Sequence, residues 1–134
     1  MDFVFLSDNS ILPTTYYILI TMSFVHLHTH SHYSLLDGLP KIPELVAKAK
    51  EFGCPALALT DHGVMYGVME FYQECKAAGI KPIIGMEAYL ALEAHTDRRA
   101  HVDDDYHHLT LLARNEEGYR YLMQLATLAH LQGF

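Results

Sequence analysis

The sequence predicts an α/β fold built on a parallel sheet, either open or closed into a barrel. Two observations carry this expectation. Strand-patterned and helix-patterned segments alternate along the chain, and His or carboxylate residues stand near the end of each strand-patterned segment. In parallel α/β folds the chemistry gathers at the carboxyl ends of the strands, so these positions matter.

The first strand is expected over 24–30, in Phe24-Val25-His26-Leu27-His28-Thr29-His30. A strand sends residues i, i+2 and i+4 to one face, so His26, His28 and His30 would form a column of imidazoles. Such a column is costly to bury unpartnered, and imidazole is the commonest metal ligand. The bland alternative is an exposed, His-rich edge. Asp37-Gly38 and Pro40 mark a turn, and a helix over 41–52 follows, with Leu45, Ala49 and Phe52 at helical spacing before Gly53. Pro55 to Thr60 reads as a short buried strand feeding Asp61-His62-Gly63. A second helix over 66–78 aligns Val68, Phe71, Tyr72 and Cys75 ahead of Gly79.

Pro82 to Leu92 is the third expected strand and carries Glu87 among apolar neighbours. Residues 93–106, with Asp103-Asp104-Asp105, read as a solvated loop, the usual fate of a charge run. His107 to Ala113 forms a fourth strand. Asn115 is placed to cap a last helix, with Glu116 and Glu117 in its first turn and Tyr119, Leu122, Met123, Ala126 and Ala129 facing inward. The residues that this reading gathers at one end of the sheet are His28, His30, Asp61, His62, Glu87 and His108.

Composition narrows the chemistry. The 134 residues suffice for one modest core, and half of them are hydrophobic. A formal charge of −7, with no basic run beyond Arg98-Arg99, argues against a direct nucleic-acid patch. Ten histidines against two cysteines favour a His/carboxylate site over a zinc knuckle. Cys54 and Cys75 share no C-x-x-C motif and read as buried thiols of a cytoplasmic protein. Residues 9–25 are uncharged and rather apolar, but Pro13 and the interspersed hydroxyl residues speak against a membrane span, and no signal-peptide pattern is present.

These motifs resemble a known family. His28-Thr29-His30-Ser31-His32-Tyr33-Ser34 is similar to the H-x-H-x-x-x-S first motif of the PHP (polymerase and histidinol phosphatase) superfamily. Leu59-Thr60-Asp61-His62-Gly63 resembles its second motif, and Glu87 in Ile84-Gly85-Met86-Glu87 its acidic ligand after the third strand. Three further stretches resemble the N-terminal PHP domain of bacterial DNA polymerase III alpha subunits. They are Tyr33 to Gly38, Phe71-Tyr72 through Gly79 to Gly85, and His108 to Asn115. The resemblance starts near Met22 and runs to Phe134, leaving residues 1–21 as an extension outside the fold and 22–134 as part of a PHP domain.

The resemblance implies His28, His30, Asp37, His62, Glu87 and His108 as metal ligands, with Asp61 orienting His62 in a catalytic pair. His26, His32 and His107 are implied as neighbours of the site, outside the ligand set. It further implies two or three divalent ions, Zn or Mn before Mg or Ca and with Fe a further candidate. The reaction implied is phosphoester hydrolysis, as in 3′-end exonuclease trimming of DNA or pyrophosphate removal. The partners implied are DNA, the rest of the polymerase and a proofreading exonuclease subunit, with no membrane. A PHP barrel has about seven β/α units and the chain supplies roughly four, so the first half of a distorted barrel is expected. Open sheet edges would then favour association or aggregation. Two other readings share the ligand pattern: a stand-alone phosphatase of the histidinol phosphate type, and a non-catalytic scaffold domain steadied by metal.

Overall fold

A computed structural model describes residues 24–35, 37–96 and 107–133. The extension 1–21 and the acidic triplet 103–105 lie outside those residues. In chain order the elements are α1 (Ile42–Glu51), β1 (Ala56–Leu59), α2 (Val68–Ala78), β2 (Lys81–Leu90), β3 (His107–Leu112) and α3 (Glu116–Leu128). A π-helical turn, Ala129–Gly133, extends α3.

Helix α1 carries Pro43 in its first turn, and the Glu44 carboxylate accepts the Lys41 N–H at 3.3 Å. Its buried stripe is Ile42, Val46 and Ala49, one step around from the stripe that spacing alone suggests. Phe52 is 65 % exposed, with the Lys48 ammonium over its ring. Helix α2 buries Val68, Phe71 and Cys75, and ends at Gly79, whose φ of 76° only glycine adopts cheaply. The α1 stripe and Phe71 and Cys75 of α2 close with Leu57, Leu59, Cys54 and Ile80 into one core. Both cysteines are reduced and buried. Burial, reinforced by Glu74, pushes the Cys75 thiol up to about 11. Thiol reagents at pH 8 should therefore leave the native chain unmodified and label it only after denaturant is added; labelling at equal rates in both states would contradict this packing.

The three-stranded sheet has the order β1-β2-β3. Strands β1 and β2 pair in parallel from Ala56↔Lys81 to Leu59↔Ile84, linked by the right length of chain in α2. Strand β3 departs from the expected parallel sheet. It pairs antiparallel to β2, from Gly85↔Leu112 to Leu90↔His107. Parallel pairing needs a long crossover, usually a helix, and the chain between Leu90 and His107 has no helical periodicity. The architecture is thus mixed α/β.

The expected first strand is also reduced. Residues 24–30 run beside β1, but only His26↔Leu57 forms a parallel bridge before the chain bends at Leu27 and His28. The Thr29 N–H donates to the Thr60 hydroxyl at 2.9 Å, so a side chain takes the place of a ladder carbonyl. Asn115 caps α3 by accepting the Gly118 N–H at 2.9 Å. Of the face expected to pack inward, only Leu122 is buried; Met123 lies exposed with Leu125 and Leu128. No helix among the described residues is long and apolar enough to cross a membrane.

Candidate metal centre

Four short segments meet at one end of the sheet. The bend after His26 delivers His28 and His30. The turn that follows His30 delivers Asp37, the segment after β1 delivers His62, and β2 delivers Glu87. His108 joins them because β3 runs backwards: its first residues lie beside the last residues of β2, in the pair Tyr89↔His108. Had β3 been parallel, His108 would sit at the far end.

Glu87 is the hub. It is only 3 % exposed, and an isolated parallel bridge beyond the end of β1 pairs it with His62. Its Oε2 lies 2.5 Å from His28 Nε2 and 2.7 Å from His30 Nε2, while Oε1 lies 2.6 Å from His108 Nδ1. Asp37 forms a second hub, with Oδ2 at 2.6 Å from His62 Nε2 and 3.1 Å from His30 Nδ1. The side chains therefore group as His28–His30–Glu87, His30–Asp37–His62 and His62–Glu87–His108, each able to offer three ligand atoms to one ion. Tyr89 stacks on His62 with ring centroids 5.8 Å apart and meets His108 edge-on at 5.0 Å.

Two details fit a cation. His28 Nε2 and His30 Nε2 stand 3.1 Å apart while both face one carboxylate oxygen, a convergence of lone-pair atoms that requires protons or a positive ion among them. His62 Nδ1 is buried without a hydrogen-bond partner, 3.7 Å from Glu87 Oε2. Burial raises the Glu87 carboxyl, but hydrogen bonds from His28 and His30, then the charge of His62, outweigh it and hold the group below its ordinary value. Asp37 behaves alike: a rise from desolvation is overcome by hydrogen bonds from His62 and His30. Both carboxylates stay ionised and ready to ligate.

All six residues implied as ligands thus come together. His26 stays apart, exposed and edge-on to Phe24 at 4.6 Å, and belongs to none of the three groups. His32 is half-buried against Tyr33, and His107 is exposed at the start of β3. Asp61 reaches His62 through Ser34: its carboxylate is 1 % exposed and accepts from the Ser31 N–H at 2.6 Å, the Ser31 hydroxyl at 2.8 Å and the Ser34 hydroxyl at 2.8 Å, and that hydroxyl accepts the His62 N–H. Sequence reasoning missed Ser31 and Ser34, although Ser34 closes the H-x-H-x-x-x-S motif and was legible there.

A mixed α/β fold carrying a cluster of imidazoles and carboxylates at its strand ends defines a class, and the chain belongs to the PHP domain family, whose pattern matches residues 26–134. Its curated relatives include DNA polymerase III subunit alpha of Treponema pallidum, 54 % identical over 113 residues, covering 84 % of this chain and 10 % of that protein. The same subunit of Aquifex aeolicus is 48 % identical over 121 residues, covering 86 % and 10 %. The chain therefore spans about a tenth of the length of the curated relatives it matches. Among solved structures, a putative metal-dependent phosphoesterase from Bifidobacterium adolescentis superposes with a TM-score of 0.51 at 21 % identity, over 75 % of this chain and 31 % of that one. An amidohydrolase from Chromobacterium violaceum gives 0.52 at 22 %, over 75 % and 31 %. These two share the fold.

Proposed function

We propose that the chain is the opening part of the N-terminal PHP domain of a bacterial DNA polymerase III alpha subunit, and that its cluster is the metal site of a phosphoesterase. The observation that carries this reading is the convergence of six His, Asp and Glu side chains, drawn from residues 28 to 108, around Glu87 and Asp37. His28, His30, Asp37, His62, Glu87 and His108 would hold two or three divalent ions. Mixed imidazole and carboxylate donors suit Zn or Mn, with Fe a further candidate. When bound, such ions activate water and neutralise phosphoryl oxygens.

The chain's own groups prepare that site. Buried Glu87 holds His28 and His30 through one oxygen and His108 through the other, and Asp37 holds His62. The side chains of His28 and Asp37 are 52 % and 48 % exposed, so one side of the cluster opens to solvent. An open side supports catalysis over a closed structural site. Phosphoester hydrolysis at a DNA 3′ end or of pyrophosphate would need the remainder of the barrel, so the chain alone would hold ions without turning over substrate. Polymerisation, DNA binding and contact with a proofreading exonuclease would belong to other parts of such a subunit, in keeping with a charge of −7 and no basic patch.

The test is elemental analysis of the purified chain after equilibration with Zn or Mn and removal of free metal. Replacing His28 and His30 together by alanine should strip most of the bound metal, since these two serve two of the three groups. Metal content equal to that of the unaltered chain would sink the assignment.

A further inference from the structure

Ser34 sits where the two parts of the cluster are joined. Its side chain is 2 % exposed, and its hydroxyl is used in both directions, donating to Asp61 Oδ1 at 2.8 Å and accepting the His62 N–H at 3.0 Å. Its backbone carbonyl accepts the N–H groups of Asp37 at 3.3 Å and Gly38 at 2.8 Å. One residue thus grips the main chain of two metal-site candidates that approach each other at Asp37 Oδ2 and His62 Nε2. Asp61 anchors it, and the same buried carboxylate takes the Ser31 N–H and hydroxyl in charge-assisted bonds. A Cβ at Gly38 would fall 1.8 Å from the Ser31 carbonyl oxygen, so the backbone passes Gly38 in contact with the residue that Asp61 holds.

From this geometry we infer that Ser34, anchored by Asp61, is a positioning residue that sets Asp37 against His62 and so tunes the ion held by His30, Asp37 and His62. The inference rests on the metal reading proposed above. Ser31 provides the matched control. Its hydroxyl donates to the same carboxylate at 2.8 Å and is equally buried, but it makes no bond to His62.

Zn titration of the full chain, in competition with a chromophoric chelator, tests the assignment. Ser34→Ala should weaken the site that depends on Asp37 by about 10- to 100-fold, the usual effect of losing a group that orients a ligand. Ser31→Ala, with a similar loss of thermal stability, should titrate as the unaltered chain does. Ser34→Ala should add nothing in an Asp37→Ala background, because both changes disable the same site. If Ser34→Ala does not fold, Ser34→Cys keeps the packing, weakens the hydrogen bonds and carries the same test. Normal Zn affinity in the folded Ser34 variant, equal losses in the two serine variants, or additive losses with Asp37→Ala would overturn the inference alone. Absence of Zn binding by the unaltered chain would overturn the metal reading and this inference with it.

Discussion

Replacing Glu87 by glutamine is expected to release more metal than the loss of any single histidine. The carboxylate serves two of the three ligand groups, and its two oxygens face opposite halves of the cluster. Removing a residue that only orients a ligand costs roughly 10- to 100-fold in metal affinity, and removing this shared ligand should exceed the upper end of that range. Zn titration measures it; an affinity within tenfold of the unaltered chain would contradict the central place of Glu87. The same variant has a signature without metal. Glu87 titrates below its ordinary 4.5 in the fold, so its ionised form stabilises the native state above that pH. The contribution is lost as pH falls through the lower, folded value. Glu87→Gln should therefore flatten the acid limb of the unfolding curve followed by circular dichroism.

Phe71→Ala is expected to be the most damaging change away from the cluster. Phe71 is fully buried near the start of α2, packed in the core that α1, α2 and β1 share. Emptying such a site costs about 3–5 kcal/mol. Domains of this size have roughly 5–15 kcal/mol in all, so the variant should melt far below the unaltered chain. The ligands are not part of that core, so added Zn should still raise the melting temperature by mass action, whereas it should do so weakly or not at all for Glu87→Gln. A melting temperature within a few degrees of the unaltered chain would show that the core is organised differently.

The two variants mark the division between what could be read from the sequence and what could not. Helices α1 and α2 were legible to within a few residues because apolar spacing, Pro43 and Gly79 are local signals. Which side of α1 turned inward was less so: a stripe through Phe52 and one through Val46 differ by a single step, and packing against α2 decided it. Five of the six ligand candidates were legible because polar groups near strand ends stand out against apolar neighbours, whereas Asp37 lies in a turn and was implied only by the family resemblance. Strand direction was not, since nothing within 107–112 encodes whether it runs with or against β2. The imidazole row was legible as a site and misleading as a strand, because the Thr60 hydroxyl that interrupts the ladder comes from a segment thirty-one positions away. Asp61 was noticed for its neighbour, while its partners Ser31 and Ser34 come from across the fold. The π-helical turn after α3 has no sequence signal that we recognise.

The backward course of β3 has a consequence for how such a chain can diverge. Glu87 and His108 are placed by the ladder between β2 and β3, in which Glu87 faces Thr110 and Tyr89 faces His108. The segment that joins the two strands in sequence contributes none of the six ligand candidates. Its length is thereby uncoupled from the spacing of the ligands, and lengthening a loop costs little in closure entropy. Residues can be gained or lost between Leu92 and His107 while the imidazole and the carboxylate keep their separation. The segment from His30 to Asp37 has less freedom, because the N–H groups of His32, Ser34 and Asp37 all bond to backbone carbonyls. Among homologous chains, insertions should collect in the first segment and be absent from the second.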